Sequence, residues 1–163
     1  IEAVKILKSK YSNVDFNILG PFAFNNSSSV KEDHFNNWLN LKIINYLGKT
    51  DDVKKFLINT DCVVLPSYRE GMSKALIESS CMGIPIVTTD VPGCRDVIEN
   101  NVTGFLCEVK NSIDLADKME KMLNLKKEKL IKMKLKARER AVKLFDDKLI
   151  IKAYEEEVAN IFY

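Results

Sequence analysis

The chain has 163 residues, 46% of them hydrophobic, which suffices for one domain with a single buried core. Its 25 basic and 23 acidic residues leave a formal charge of +2, so composition gives no case for a nucleic-acid partner. No apolar run reaches the about 20 residues that span a bilayer, and no signal peptide is visible. The chain opens on Ile1 inside a helical pattern, and is therefore expected to be a piece of something longer.

In chain order, Ile1, Val4, Leu7 and Tyr11 recur at helical spacing, predicting an amphipathic helix that ends near Asn13. "VDFNILG" (14–20) reads as a strand closing on glycine, and "PFAFNNSSSVKEDHFNN" as loop with a short helix over 31–37. "KIINYLG" (42–48) is a second strand. "TDDVKKFLINT" (50–60) is a helix that Thr50 or Asp51 can cap. "DCVVLPS" (61–67) is a third strand, expected to be buried on both faces because its apolar residues run continuously. A helix starting at Met72 or Ser73 follows. Then come a strand "IPIVTTD" (84–90), a short helix "CRDVIEN" (94–100), a strand "GFLCEV" (104–109), and helices over 112–123, 126–144 and 146–161. Short buried strands alternating with helices imply βαβ units, hence an α/β fold with a doubly wound, Rossmann-like parallel sheet and C-terminal helices.

Such sheets bind ligands beyond the carboxyl ends of their strands, where loops enter helix N-termini. There the segment "SYREGMSKALIESS" (67–80) places Glu70 and Glu78 around a helix start. The first amides of a helix lack internal partners and carry a partial positive charge, which suits a diphosphate. Gly71 lets the backbone approach it closely. Glu78 lies one turn beyond Lys74 and two beyond Gly71 on the same face, and helical side chains lean toward the N-terminus. Its carboxylate suits a pair of ribose hydroxyls, whereas Glu70 precedes the helix and faces whatever lies past the phosphates. A sugar nucleotide satisfies all three. By itself an E-x7-E spacing is common among surface acids; the buried strand before it is what favours a site.

Joined to its surroundings, the segment "DCVVLPSYREGMSKALIESSCMGIPIVTTDVPGCRDVIENNVTGFLCEV" resembles the donor-binding half of family 4 retaining glycosyltransferases of the GT-B fold. The matching pieces are Glu70 to Glu78, Gly83 to Gly93, Gly104 to Leu106, "NILG", "INYLGKTDDV" and the closing F-x8-Y run from Phe145 to Tyr154. The resemblance implies a sugar-side, catalytic role for Glu70 and a ribose contact for Glu78. It implies sugar and diphosphate contacts from the amides of Met72, Ser73 and Lys74 beside Gly71. Tyr46, Leu47 and Gly48 would flank the nucleobase, and Gly93 would shape a loop close to the donor. The implied reaction moves a hexose or N-acetylhexosamine, with retention, from a nucleotide-sugar to a glycan or lipid-linked acceptor in bacterial surface polysaccharide synthesis. A UDP-sugar is the expected donor, and no metal is needed. Relatives begin this half with a strand and a loop carrying an arginine and a lysine, and have a separate acceptor domain; without them, residues 1–163 are expected to show little or no turnover. A non-catalytic nucleotide-binding module and a GT-B sugar-nucleotide epimerase are the competing readings.

The remaining features favour bland roles. "LGKT" (47–50) lacks the earlier glycine of a phosphate-binding P-loop, since Ile43 stands there. Cys62, Cys81, Cys94 and Cys107 form no C-x-x-C pair, and the lone His34 completes no metal cluster; they are expected to be reduced thiols of a cytosolic protein. His34 and Trp38 are expected at the surface and at a loop edge, Arg69 and Arg95 in surface pairs beside the pocket. Asn25, Asn26 and Asn101 begin nominal glycosylation sequons without meaning in a cytosolic chain. From Lys121 to Lys143, ten basic residues face two glutamates, a local net of +8. A solvated helix face is the default, and peripheral contact with the anionic inner face of a membrane is the alternative.

Overall fold

The computed structural model describes residues 1–22 and 30–162; Asn25, Asn26 and the middle of the 21–37 loop lie outside them. The element order is α1 (Glu2–Lys8), β1 (Asn17–Ile18), α2 (Glu32–Asn40), β2 (Asn45–Tyr46), α3 (Lys54–Leu57), β3 (Val63–Leu65), α4 (Lys74–Cys81), β4 (Ile86–Thr89), β5 (Gly104–Cys107), α5 (Ser112–Leu123), α6 (Lys127–Phe145) and α7 (Asp147–Phe162). Every strand pair is parallel, in two ladders: β1 with β2, and β3–β4–β5.

β4 is the centre of the larger ladder and all four of its residues are buried. Because strand side chains alternate, Ile86 and Val87 feed different cores. Val87 joins Ala3 and Leu7 of α1, Phe105, and Ala116, Met119 and Met122 of α5. Ile86 joins Leu76 of α4 with Val91, Cys94, Val97 and Ile98. Helices α1 and α5 thus cover one face while α4 and the turn after β4 cover the other, with α6 packed outside α4. That is the double winding expected of the sequence.

Helix ends follow their chemistry. The Asn111 side chain caps α5 by accepting from the amides of Ile113 (3.1 Å) and Asp114 (2.9 Å). Glu120 of α5 accepts from Lys10 (2.7 Å) and from the Tyr11 hydroxyl (3.0 Å), stapling the exit of α1 to α5. α1 stops at Lys8, short of the expected Asn13, where the Lys10 amide donates to the Leu7 carbonyl (3.0 Å), a tighter i→i−3 turn that leaves the helical ladder.

Further expectations fail: the helix expected over 50–60 spans only Lys54–Leu57, with Val53 and neither Thr50 nor Asp51 as its N-cap. Residues 94–100 form turns, not a helix: Gly93 takes φ +80° and its amide is drawn to the Asp96 carboxylate, and the chain closes separate turns, Arg95 to Val91 and Val97 to Cys94, in place of a continuous helical ladder. β3 is half-buried along its length, not buried on both faces, because it is the edge of its ladder. Between that edge and β1 lies a cavity of about 580 Å³, lined by Phe16 and Asn17 on one side, Cys62 and Val64 on the other, and Leu7 and Met119 beneath. The two ladders do not hydrogen-bond to each other across this slot.

The cysteines are free thiols. Burial pushes Cys62 up to about 12 and Cys107 up to about 11, so neither is a ready nucleophile at neutral pH. Among the described residues, no helix is long and apolar enough to cross a membrane.

Candidate functional site

The site forms where β3 leaves the sheet. Pro66 ends the strand, and two buried threonines of β4 hold the exit: the Thr88 hydroxyl donates to the Leu65 carbonyl (2.7 Å), and the Thr89 hydroxyl to the Ser67 carbonyl. The Ser67 hydroxyl in turn donates to Glu70 Oε2 at 2.9 Å. Glu70 is therefore half-buried with one carboxylate oxygen oriented and the other not engaged by that bond. Sequence reasoning passed over Ser67, Thr88 and Thr89. The i, i+3 spacing of Ser67 and Glu70 is the signal that could have found the first.

α4 begins at Lys74 with Ser73 as its N-cap, slightly later than expected. Ser73 is extended (φ −76°, ψ 106°) and its side chain makes no capping hydrogen bond, so the first-turn amides are left to another acceptor. Gly71 and Met72 precede them on the surface. Glu78 is partly buried, and its Oε1 lies 3.7 Å from Lys74 Nζ, one turn back, which confirms the shared face. A helix end that attracts anions thus carries a carboxylate before it, Glu70, and another one turn into the helix, Glu78. Such an arrangement suits a ligand whose charge lies in its middle and whose hydroxyls lie at both ends.

Gly93 closes the site from the β4 side. A Cβ at this position would stand 1.7 Å from the Gly71 carbonyl oxygen and 2.8 Å from that of Glu70, so only glycine permits the approach. Glu70, Gly71, Met72, Ser73, Lys74, Glu78 and Gly93 are therefore one constellation.

Tyr46, Leu47 and Gly48 form a second group, at the carboxyl end of β2. The Tyr46 ring packs edge-on against Phe22 (4.9 Å between centroids) and Phe35 (5.3 Å), and its hydroxyl donates to the Gly20 carbonyl at 2.8 Å. The Gly20 amide donates to the Gly48 carbonyl (3.0 Å). Tyr46 is thus occupied in joining the loops after β1 and β2, and Leu47 is the exposed member of this group, with Gly48 half-buried beside it. His34 is exposed and Arg95 pairs with Asp90 (3.0 Å), as anticipated, and Arg69 is exposed beside Glu70; Trp38, expected at a loop edge, instead lies within α2, edge-on near Phe35.

Among the described residues, no group of three or more histidine, cysteine or acidic side chains is placed to hold a metal ion.

Residues 1–140 match the family described as Glycosyl transferases group 1. Over 128 residues the chain is 32% identical to the N,N'-diacetylbacillosaminyl-diphospho-undecaprenol alpha-1,3-N-acetylgalactosaminyltransferase of Campylobacter jejuni, covering 76% of this chain and 34% of that protein. Over 124 residues it is 31% identical to the capsular polysaccharide biosynthesis glycosyltransferase CapM of Staphylococcus aureus, covering 76% of this chain and 32% of the relative. The crystal structure of HepE from Anabaena in complex with UDP superposes with a TM-score of 0.85 at 22% identity, over 98% of this chain and 44% of that one. At that identity the likeness is one of fold. The chain thus spans about a third of the length of these two curated relatives.

Proposed function

The chain belongs to the glycosyl transferases group 1 family, and on that footing we propose that it is the donor-binding part of a retaining glycosyltransferase acting on a nucleotide-sugar. The observation that carries this reading is the uncapped start of α4 set between Glu70 and Glu78, at the carboxyl end of β3. The diphosphate lies on the amides of Met72, Ser73 and Lys74, where the helix dipole stabilises charge gathering on the leaving group. Glu78 accepts from the ribose hydroxyls. Glu70, oriented by Ser67, sits by the transferred sugar and stabilises the positive charge that develops as the glycosidic bond breaks. The backbone of Leu47 and Gly48 borders the base. Uridine is the base proposed, in keeping with the UDP bound by HepE. No metal takes part, the diphosphate charge being met by amides and basic groups. A lipid-linked or capsular glycan acceptor, in bacterial surface polysaccharide synthesis, is supported by the names of the two curated relatives.

In this reading the acceptor is held by a further domain of a longer polypeptide. The slot between β1 and β3 supports that extension: it is open on two parallel strand edges and floored by apolar side chains, the setting a further parallel strand fits. Calorimetric titration of the intact polypeptide with UDP tests the site. Glu78→Ala is expected to weaken Kd about 10- to 100-fold, the worth of hydrogen bonds to a charged acceptor, with EDTA changing neither value. Unchanged affinity would remove Glu78 from the ribose site.

The proposed membrane contact rests on α6. Its outward side carries Ile131, Leu135 and Val142, 48%, 66% and 54% exposed, opposite the buried Met133, Ala137 and Ala141. Lys127, Lys132, Lys136, Arg138 and Lys143 flank that stripe, all exposed, and Glu139 is partly neutralised by Lys136 at 2.7 Å. An apolar strip between basic rows fits an anionic lipid surface, each cation adding up to about 1 kcal/mol near the headgroups. The intact protein is expected to float with phosphatidylglycerol vesicles and not with phosphatidylcholine ones, and to lose this when Ile131 and Leu135 are both replaced by serine. Flotation that ignores lipid charge would refute the contact.

A further inference from the structure

Two side chains outside the constellation hold the backbone that presents it. Asp96, in the turns after β4, accepts the Gly93 amide on its Oδ2 at 3.0 Å. Arg140, from the middle of α6, grips the same turn from the other side, its Nε donating to the Val97 carbonyl (3.1 Å) and its Nη2 to the Asp96 carbonyl (3.0 Å). Gly93, thus fixed, lies against the main-chain carbonyls of Glu70 and Gly71 with no room for even one more carbon. Each link is a direct contact: guanidinium to turn, carboxylate to glycine, glycine to the segment that carries Glu70. Glu78 stands outside this chain of contacts. It belongs to α4, which is seated by the fully buried Leu76 and Ser79.

We infer that Arg140 and Asp96 are positioning residues, which set the Glu70–Gly71 segment through Gly93 and so govern the sugar end of the site independently of its ribose end. The inference rests on the donor reading above for what the segment binds, and on geometry alone for the mechanical link. A displacement of about 1 Å at a reacting group costs about 100-fold in rate, so a modest slackening of the turn is enough to matter. A role in stability only would make no distinction between the two ends.

The test uses the intact polypeptide with Arg140→Met, which keeps the aliphatic stem and loses the fork, and with Asp96→Ala. UDP affinity is expected to stay within about twofold, while kcat/KM for a UDP-sugar falls by about 10- to 100-fold. Asp96→Asn, whose amide oxygen can still accept from Gly93, should recover most of the loss. Equal weakening of UDP and UDP-sugar, or no change in either, would overturn the inference. Amide hydrogen exchange without ligand separates this from the donor reading. Exchange across 68–71 should rise in both variants while that of Leu76–Ser80 does not. Unchanged exchange at 68–71 overturns the positioning role. Raised exchange in a protein that binds neither UDP nor a UDP-sugar upholds the link and sinks the donor reading alone.

Discussion

Glu70→Gln in the intact polypeptide is expected to lower turnover by about 100- to 1,000-fold, the usual consequence of removing one preorganised electrostatic group from a reacting centre. The substitution is close to isosteric, and glutamine still offers an oxygen to the Ser67 hydroxyl that now donates to Oε2 at 2.9 Å. What disappears is the negative charge. Because that charge is assigned to the sugar at the moment positive charge develops, UDP affinity should change little and the loss should fall on kcat. Steady-state kinetics with a UDP-sugar, beside UDP titration, read the two separately. A fall in kcat of less than tenfold would mean that Glu70 does not face the reacting carbon.

The second large effect concerns the fold and needs no substrate. At Gly104→Ala in β5, the new Cβ would stand 2.2 Å from the Ile86 carbonyl oxygen and 3.1 Å from its carbonyl carbon. Both are main-chain atoms of β4, whose four residues are all buried, so neither can swing aside as a side-chain tip would. The β4–β5 register pairs these two residues directly, and relief requires the ladder to part at its start. The cost should lie at or beyond the upper end of the about 1–3 kcal/mol typical of overpacking. Urea unfolding of the variant beside the parent measures it, and a loss of stability below about 1 kcal/mol would show that the ladder yields freely.

What the sequence made legible follows from how local each feature is. The Ser112–Leu123 helix is read at its true bounds from its apolar spacing, a signal that lies wholly within it. The strands were expected at their places but longer, because runs of apolar residues do not say where hydrogen-bonded pairing stops. The 94–100 segment looked helical because Cys94, Val97 and Ile98 are spaced to share a helix face, and they do share a core, but through turns bent by Gly93. Within the site, Glu70, Gly71, Glu78 and Gly93 could be recognised from motif and spacing. Arg140 could not: its partners at 96 and 97 are far away in the chain, and nothing in its own helix marks it among other basic residues.

The slot between β1 and β3 has a consequence for handling the chain. β1 and β3 flank one slot and each is paired on its other side only, a geometry that would make residues 1–163 a receptor for extended backbone. Expressed alone, the chain offers that receptor to its neighbours, and a β-strand borrowed from a second molecule would close the sheet as well as one supplied in cis. Self-association of the isolated chain would then report an unfilled place in the sheet, and a soluble peptide able to fill that place would act as its folding partner.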